Sequence, residues 1–291
     1  MGNILTKQFY RQRKDFEDSC AGRDAGLTFP EGVRCSTDIA YADDGIKAHM
    51  LDIYRPEDSQ EKVLPVIINV HGGGLIIGNK EFNRYFCALL CKKGFLVYSI
   101  EYRLIPDCLI YDQLADVFMA MDYIKERLAA DGGDSSHVYM AGDSGGACLI
   151  TYANAIQNNT NIARAANVTP SGLRINALGL ISGMFYTSRF DKIGLFLPKY
   201  LYGRDYKKTP FAKYVNPENR ELLNSLAPVW LVTSHNDFLR RYTTDFEKAL
   251  TRAEREHELV VFPKNKKLTH AFSVFEPFLP ESSCLLYTSP S

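Results

Sequence analysis

The segment Gly142-Asp143-Ser144-Gly145-Gly146 restricts the fold of this chain more than any other. The apolar run His137-Val138-Tyr139-Met140-Ala141 leads into it, and Ala147-Cys148-Leu149-Ile150 leads out with the spacing of a helix. A serine pinched between a strand and a helix, with glycine two places either side, reads as a nucleophile elbow. A side chain at either glycine would collide with a neighbouring element, and the sharp turn pushes the Ser144 hydroxyl out of the sheet. The Gly145 amide then lies at a helix N-terminus, where a free N–H and the positive end of the dipole face an oxyanion forming on an attacked acyl group. Taken by itself, the pentapeptide also fits an ordinary turn serine.

The surrounding pattern favours the elbow. Residues 1 to 30 are polar with Phe9, Tyr10, Phe16 and Leu27 interspersed, and predict one or two amphipathic helices. Two β-type runs, 36–42 and 46–54, flank Asp43-Asp44-Gly45, a hairpin signal that predicts an antiparallel start to the sheet. From there strand and helix patterns alternate. Strands are expected at 65–70, 95–100, 138–142, 175–182, 229–234 and 258–262, and helices at 80–93, 112–130, 144–158 and 241–256. In the 112–130 segment Leu114, Val117, Phe118, Met121, Ile124 and Leu128 recur at three- and four-residue intervals, which defines one buried helix face. Such alternation implies a mostly parallel sheet with helices on both faces and ligands at the C-terminal strand ends, where Ser144 falls. Residues 185–225 interrupt it with an aromatic-rich, strandless stretch. That stretch reads either as an insertion with its own small core or as a cap that roofs an apolar pocket together with residues 1–30. No repeat or linker divides the chain, so a single domain spanning 1–291 is expected.

Composition narrows the function classes. Lys plus Arg equals Asp plus Glu at 34 each, which gives no support to nucleic acid or an anionic membrane as partner. The seven cysteines are odd in number and form no C-x-x-C pair, as in a reduced cytoplasmic protein with buried thiols; Cys87 and Cys91 share a helix face, but no metal-ligand spacing joins them. Neither a secretory segment nor a membrane span is read from the sequence. Met1-Gly2-Asn3-Ile4-Leu5-Thr6 matches the loose N-myristoylation pattern, and Asn158-Asn159-Thr160 and Asn167-Val168-Thr169 match the glycosylation sequon, here read as accidental.

An acyl-transfer serine needs a base, a carboxylate to orient it and donors for the oxyanion. His71-Gly72-Gly73-Gly74 directly follows the 65–70 strand and leaves amides bare; Gly72, Gly73, Gly74 and Gly145 are the expected oxyanion-hole residues, Gly72 by shaping the loop and the others by their N–H groups. His71 itself is read as bracing that loop. These two motifs together resemble the hormone-sensitive-lipase-like branch of the α/β-hydrolase carboxylesterases. Glu101-Tyr102-Arg103-Leu104-Ile105-Pro106 with Asp116 downstream is similar to that family's Asp-Tyr-Arg-Leu-Ala-Pro segment, and Leu51-Asp52-Ile53-Tyr54 is similar to members acting on acylated plant carbohydrates. The likeness runs from about residue 36 to residue 275. It departs at Gly145, where the family often has alanine, and at Ala271, where it often has glycine.

In that family the acid and the base follow the serine on the loops after the last two strands, which implies Asp237 and His270. His235 is the competing base, but it lies beside the acid on one loop. The pentapeptide also looks like the serine segment of chymotrypsin-like proteases; those place histidine and aspartate before the serine in an all-β fold, unlike this chain. The expectation is therefore a cytoplasmic α/β-hydrolase with a helical cap. It would hydrolyse a small-molecule carboxylic ester of short to medium acyl length through an acyl-enzyme on Ser144, with no cofactor or metal. An idle hydrolase fold serving as a small-molecule receptor, and amide or thioester hydrolysis by the same groups, are the alternatives. A homodimer stays open.

Overall fold

The computed structural model describes residues 2–59 and 62–287. Met1, with which the acylation pattern opens, and the side chain of Cys284 lie outside the described residues. Eight strands, β1 (Val33–Ala40), β2 (Met50–Pro56), β3 (Leu64–Val70), β4 (Leu96–Ile100), β5 (Gly133–Asp143), β6 (Ala177–Ile181), β7 (Val229–Ser234) and β8 (His257–Phe262), make one sheet in the order β1-β2-β4-β3-β5-β6-β7-β8. β2 pairs antiparallel with both β1 and β4, and every pairing from β4 to β8 is parallel. The antiparallel start thus matches the reading of Asp44-Gly45, but β2 begins at Met50 rather than Ile46. The buried His49 explains the longer connection: its Nδ1 meets Asp44 at 2.7 Å and its Nε2 meets Asp116 at 3.0 Å, which holds residues 41–49 as a folded loop.

The helices are α1 (Gly2–Asp24), α2 (Arg84–Lys92), α3 (Ile110–Arg127), α4 (Ser144–Asn158), α5 (Thr160–Ala166), α6 (Pro198–Leu201), α7 (Arg220–Asn224), α8 (Arg240–Arg252), α9 (Phe272–Phe275) and α10 (Pro280–Tyr287). Strands β3 and β4 are apolar along their length because both faces are covered, and the core accordingly forms two clusters. The stripe on α3 is the buried one read from its spacing: Leu114, Val117, Phe118, Met121 and Ile124 are all buried. Each such side chain contributes roughly 2 kcal/mol of transfer free energy.

Residues 185–225 carry no strand. Much of their aromatic content is core: Phe185 stacks on Phe246 of α8 at 4.2 Å, and Phe211 sits against Tyr152 of α4 at 5.4 Å and Tyr214 at 5.7 Å. Helix α1 is one element, tied at several points along its length. Phe9 meets Tyr200 edge-on at 5.2 Å and Phe16 meets Phe82 at 4.8 Å. Between them Arg13 donates to the carbonyls of Ile76 (2.8 Å), Leu104 (3.0 Å) and Ile105 (2.6 Å) and to Asp107 (2.8 Å). One guanidinium thereby fastens α1 to the loops that follow β3 and β4.

Candidate active site

Ser144 opens α4 immediately after β5, with φ +49, the left-handed region a serine adopts only when its surroundings impose it. The imposition is visible at Gly146, where a Cβ would stand 2.1 Å from the Val70 carbonyl oxygen, so no side chain fits beneath the turn. The Ser144 carbonyl accepts the Met184 amide at 2.9 Å, which anchors the turn to the segment following β6.

Asp237 lies in the loop after β7 with its carboxylate fully engaged. Oδ1 accepts from His270 Nδ1 at 2.7 Å and from the Leu239 amide at 2.8 Å, and Oδ2 accepts from the Thr233 hydroxyl at 2.8 Å. Burial pushes the Asp237 carboxyl up, but the His270 hydrogen bond and charge, with the Leu239 and Thr233 donors, outweigh it and hold the group below the ordinary carboxylate range. His270 follows β8, and the amide next to it, Ala271 N, donates to Ser182 Oγ at 3.0 Å. Ser144 and His270 are therefore tethered to one short segment, 182–184. No hydrogen bond joins Ser144 Oγ to His270 Nε2 among the described residues, and neither atom has another partner there. Such bonds commonly tighten only when substrate fills the site. The competing His235 is exposed and faces Arg240 at 2.8 Å, away from Asp237.

The expected oxyanion donors lie on the glycine loop after β3 and at the start of α4. A Cβ at Gly145 would lie 2.9 Å from the Gly74 nitrogen and 2.8 Å from the Leu75 nitrogen, so these amides abut the start of α4. Gly73, Gly74 and Leu75 take φ of +101, +63 and +67, and their amides have no acceptor among the described residues. Gly145, second in α4, belongs to the first turn, where helix amides lack intrahelical partners. Gly72 differs: its amide donates to Asp143 Oδ1 at 3.0 Å, so it shapes the loop and is not free to hold an anion.

Two sets of contacts were not read from the sequence, those of Asp143 and those of His71. Asp143 is buried, and burial raises its carboxyl despite donors from Asn83 (3.0 Å) and Gly72; its Oδ2 has no partner. His71 has an acceptor at each ring nitrogen, the Gly72 carbonyl at 2.8 Å from Nδ1 and Glu101 at 3.2 Å from Nε2, and it stacks on Tyr102 at 4.4 Å. Burial opposes charge on His71, but Glu101 and the Gly72 carbonyl raise its affinity for a proton. The Glu101 carboxylate in turn takes the Lys80 amide at 2.8 Å. The brace expected of His71 is thus the visible end of a buried polar chain. Asn83 carries no local signature that would have marked it, and Glu101 is visible in the sequence only as the first residue of the family-like segment 101–106.

Phe238, beside Asp237, holds its ring 4.4 Å from the His270 imidazole and is 73% exposed. A groove of about 810 Å³ lined by Arg174, Asn176, Glu221 and neighbours lies at the N-terminal ends of β6 and β7, away from all these groups. Among the described residues no cluster of three or more His, Cys, Asp or Glu side chains could hold a metal ion.

A family model described as alpha/beta hydrolase fold matches residues 67–273. Among curated proteins the chain is similar to a probable isoprenylcysteine alpha-carbonyl methylesterase of Oryza sativa subsp. japonica, 29% identical over 184 residues that cover 60% of this chain and 44% of that one. It is also similar to the esterase LipC of Mycobacterium tuberculosis, 30% identical over 122 residues covering 42% and 30%. The chain spans less than half the length of these relatives. Among solved structures it superposes on the tributyrin-phosphonate-inhibited esterase B from Lactobacillus rhamnosis with TM-score 0.91 at 22% identity, covering 99% and 93% of the two chains. A bacterial heroin esterase gives TM-score 0.71 at 23% identity, covering 96% and 90%.

Proposed function

Since the chain belongs to the α/β-hydrolase fold family, we propose that it is a serine carboxylic-ester hydrolase working through an acyl-enzyme. The observation that supports this reading is the 2.7 Å bond from His270 Nδ1 to Asp237, which leaves the imidazole Nε2 without a partner among the described residues. His270 takes the Ser144 proton as the hydroxyl oxygen attacks the ester carbonyl. Asp237 fixes the tautomer and stabilises the imidazolium. The amides of Gly73, Gly74 and Gly145, on the loop shaped by Gly72, receive the oxyanion; collapse expels the alcohol, protonated by His270, and water activated by the same imidazole releases the acid. No cofactor takes part in these steps.

The substrate is a small ester of short to medium acyl length. The names of the relatives suggest the panel: methyl esters and tributyrin. Residues 1–30 and 185–225 act as cap elements of one domain. Six of the seven cysteines are free thiols among the described residues, which supports a reducing, cytoplasmic location. The outer edge of β8 has no strand partner and could take a second copy in a homodimer. Labelling by an alkyl phosphonate on Ser144, lost in Ser144→Ala together with at least about 10⁴-fold of kcat on p-nitrophenyl butyrate at unchanged melting temperature, is the expected result. Full turnover by Ser144→Ala would refute the mechanism, and absence of an adduct on the parent would favour a receptor.

A further inference from the structure

The balanced net charge conceals an uneven surface on the cap. The bonds Leu195 N to Asp191 O and Leu197 N to Ile193 O, both 3.0 Å, wind residues 191–197 helically into α6, where Leu201 N meets Leu197 O at 3.0 Å. Lys192, Leu195, Phe196 and Lys199 therefore share one face at three- and four-residue intervals. That face points to solvent, with Leu195 54% and Phe196 58% exposed, while Leu197 and Leu201 turn into the core. Phe190, 91% exposed, stands just before it, held between Arg189, paired with Asp245 at 2.9 Å, and Asp191, which accepts the Tyr242 hydroxyl at 2.6 Å. Its aromatic tip is thus presented by a fixed backbone rather than by a loose loop.

The charges around these apolar tips are one-sided. Lys192, Arg204 and Lys207 form no ion pair among the described residues, and Lys199 makes only a cation–π contact with Tyr200. The nearby acids are occupied: Asp191 also takes the Ile193 and Gly194 amides, and Asp205 takes Lys208 at 2.9 Å. Protruding phenyl rings ringed by uncommitted cations suit a surface that is apolar within and anionic at its face. A second copy suits it poorly, because pairing this face with itself would oppose like charges.

We propose that this cap face docks on an anionic lipid surface, Phe190, Leu195 and Phe196 entering the interface and Lys192 and Lys199 meeting the headgroups. Docking does not depend on ester hydrolysis, so it is tested on Ser144→Ala protein by cosedimentation with phosphatidylcholine vesicles with and without phosphatidylserine. Binding at least about tenfold tighter to the phosphatidylserine vesicles is expected, weakening as salt is raised, and falling about tenfold or more in Lys192→Glu/Lys199→Glu. Phe190→Ala/Phe196→Ala should weaken binding to both vesicle types. In the otherwise unaltered enzyme both double variants should leave the melting temperature and the turnover of a soluble short ester unchanged. Failure to bind, equal binding to both vesicles, parental binding by both double variants, or a dimer abolished by Phe190→Ala/Phe196→Ala would each overturn the proposal.

Discussion

At the scale of single residues the site is a set of close approaches, and the one at Gly145 faces the amides expected to hold the oxyanion. A methyl group there would stand 2.8 Å from Leu75 N and 2.9 Å from Gly74 N, inside any normal carbon–nitrogen contact, so the loop would have to retreat from α4. Gly145→Ala is therefore expected to lower kcat about a hundredfold with little change in KM, the signature of a displaced oxyanion donor in steady-state kinetics. This outcome goes against the simple expectation from relatives that carry alanine at the position. Ala271 is the converse case: it sits at φ +48, where the resembling family's frequent glycine would be unstrained, and this chain carries roughly 1 kcal/mol of backbone strain instead. Ser144 stands out in the strand–turn–helix pattern, whereas Asp237 and His270 are reached only through the resemblance, which sets acid and base on the loops after the last two strands. Asp143 and Asn83 could not be coupled in advance, because the 3.0 Å bond between them spans 60 residues and leaves no periodicity.

Among the elements, β7 was legible to the residue, and most strand and helix boundaries fell within a few places, since fully covered strands must be continuously apolar. What local pattern did not reveal is how α1 is used. The helix is mostly polar, and its attachment rests largely on Arg13, whose partners lie 63 to 94 residues away. Removing that guanidinium leaves the carbonyls of Ile76, Leu104 and Ile105 without this donor. Arg13→Ala should lower stability by about 2 kcal/mol in urea titrations, and Arg13→Lys should recover only part of it, because an ammonium cannot reach three carbonyls as a planar fork does. Helix α1 should then become the first segment to lose amide-exchange protection.

For the molecule as a whole, the buried charges set a pH window. The Asp237 carboxyl is held below its unfolded value, so its stabilisation is complete above about pH 4 and is lost as pH falls through the folded value. Asp143, raised by burial, acts in the opposite sense and makes the acid limb shallower. His71 binds its proton more tightly folded than unfolded, so its stabilisation is complete below about pH 6.5 and is lost as pH rises through the folded value. Melting temperature against pH should thus pass through a maximum between these limits, with the alkaline limb flattened in His71→Gln and the acid limb in Asp237→Asn. The strand order carries one more consequence. The proposed catalytic groups come from chain positions as far apart as 73 and 270, on the returns after β3, β5, β7 and β8, so on this proposal no contiguous half of the polypeptide owns a working centre. Two fragments cut between β6 and β7 would each be inert, and turnover would reappear only when they knit the β6–β7 seam, making activity itself a gauge of whether the entire sheet has closed.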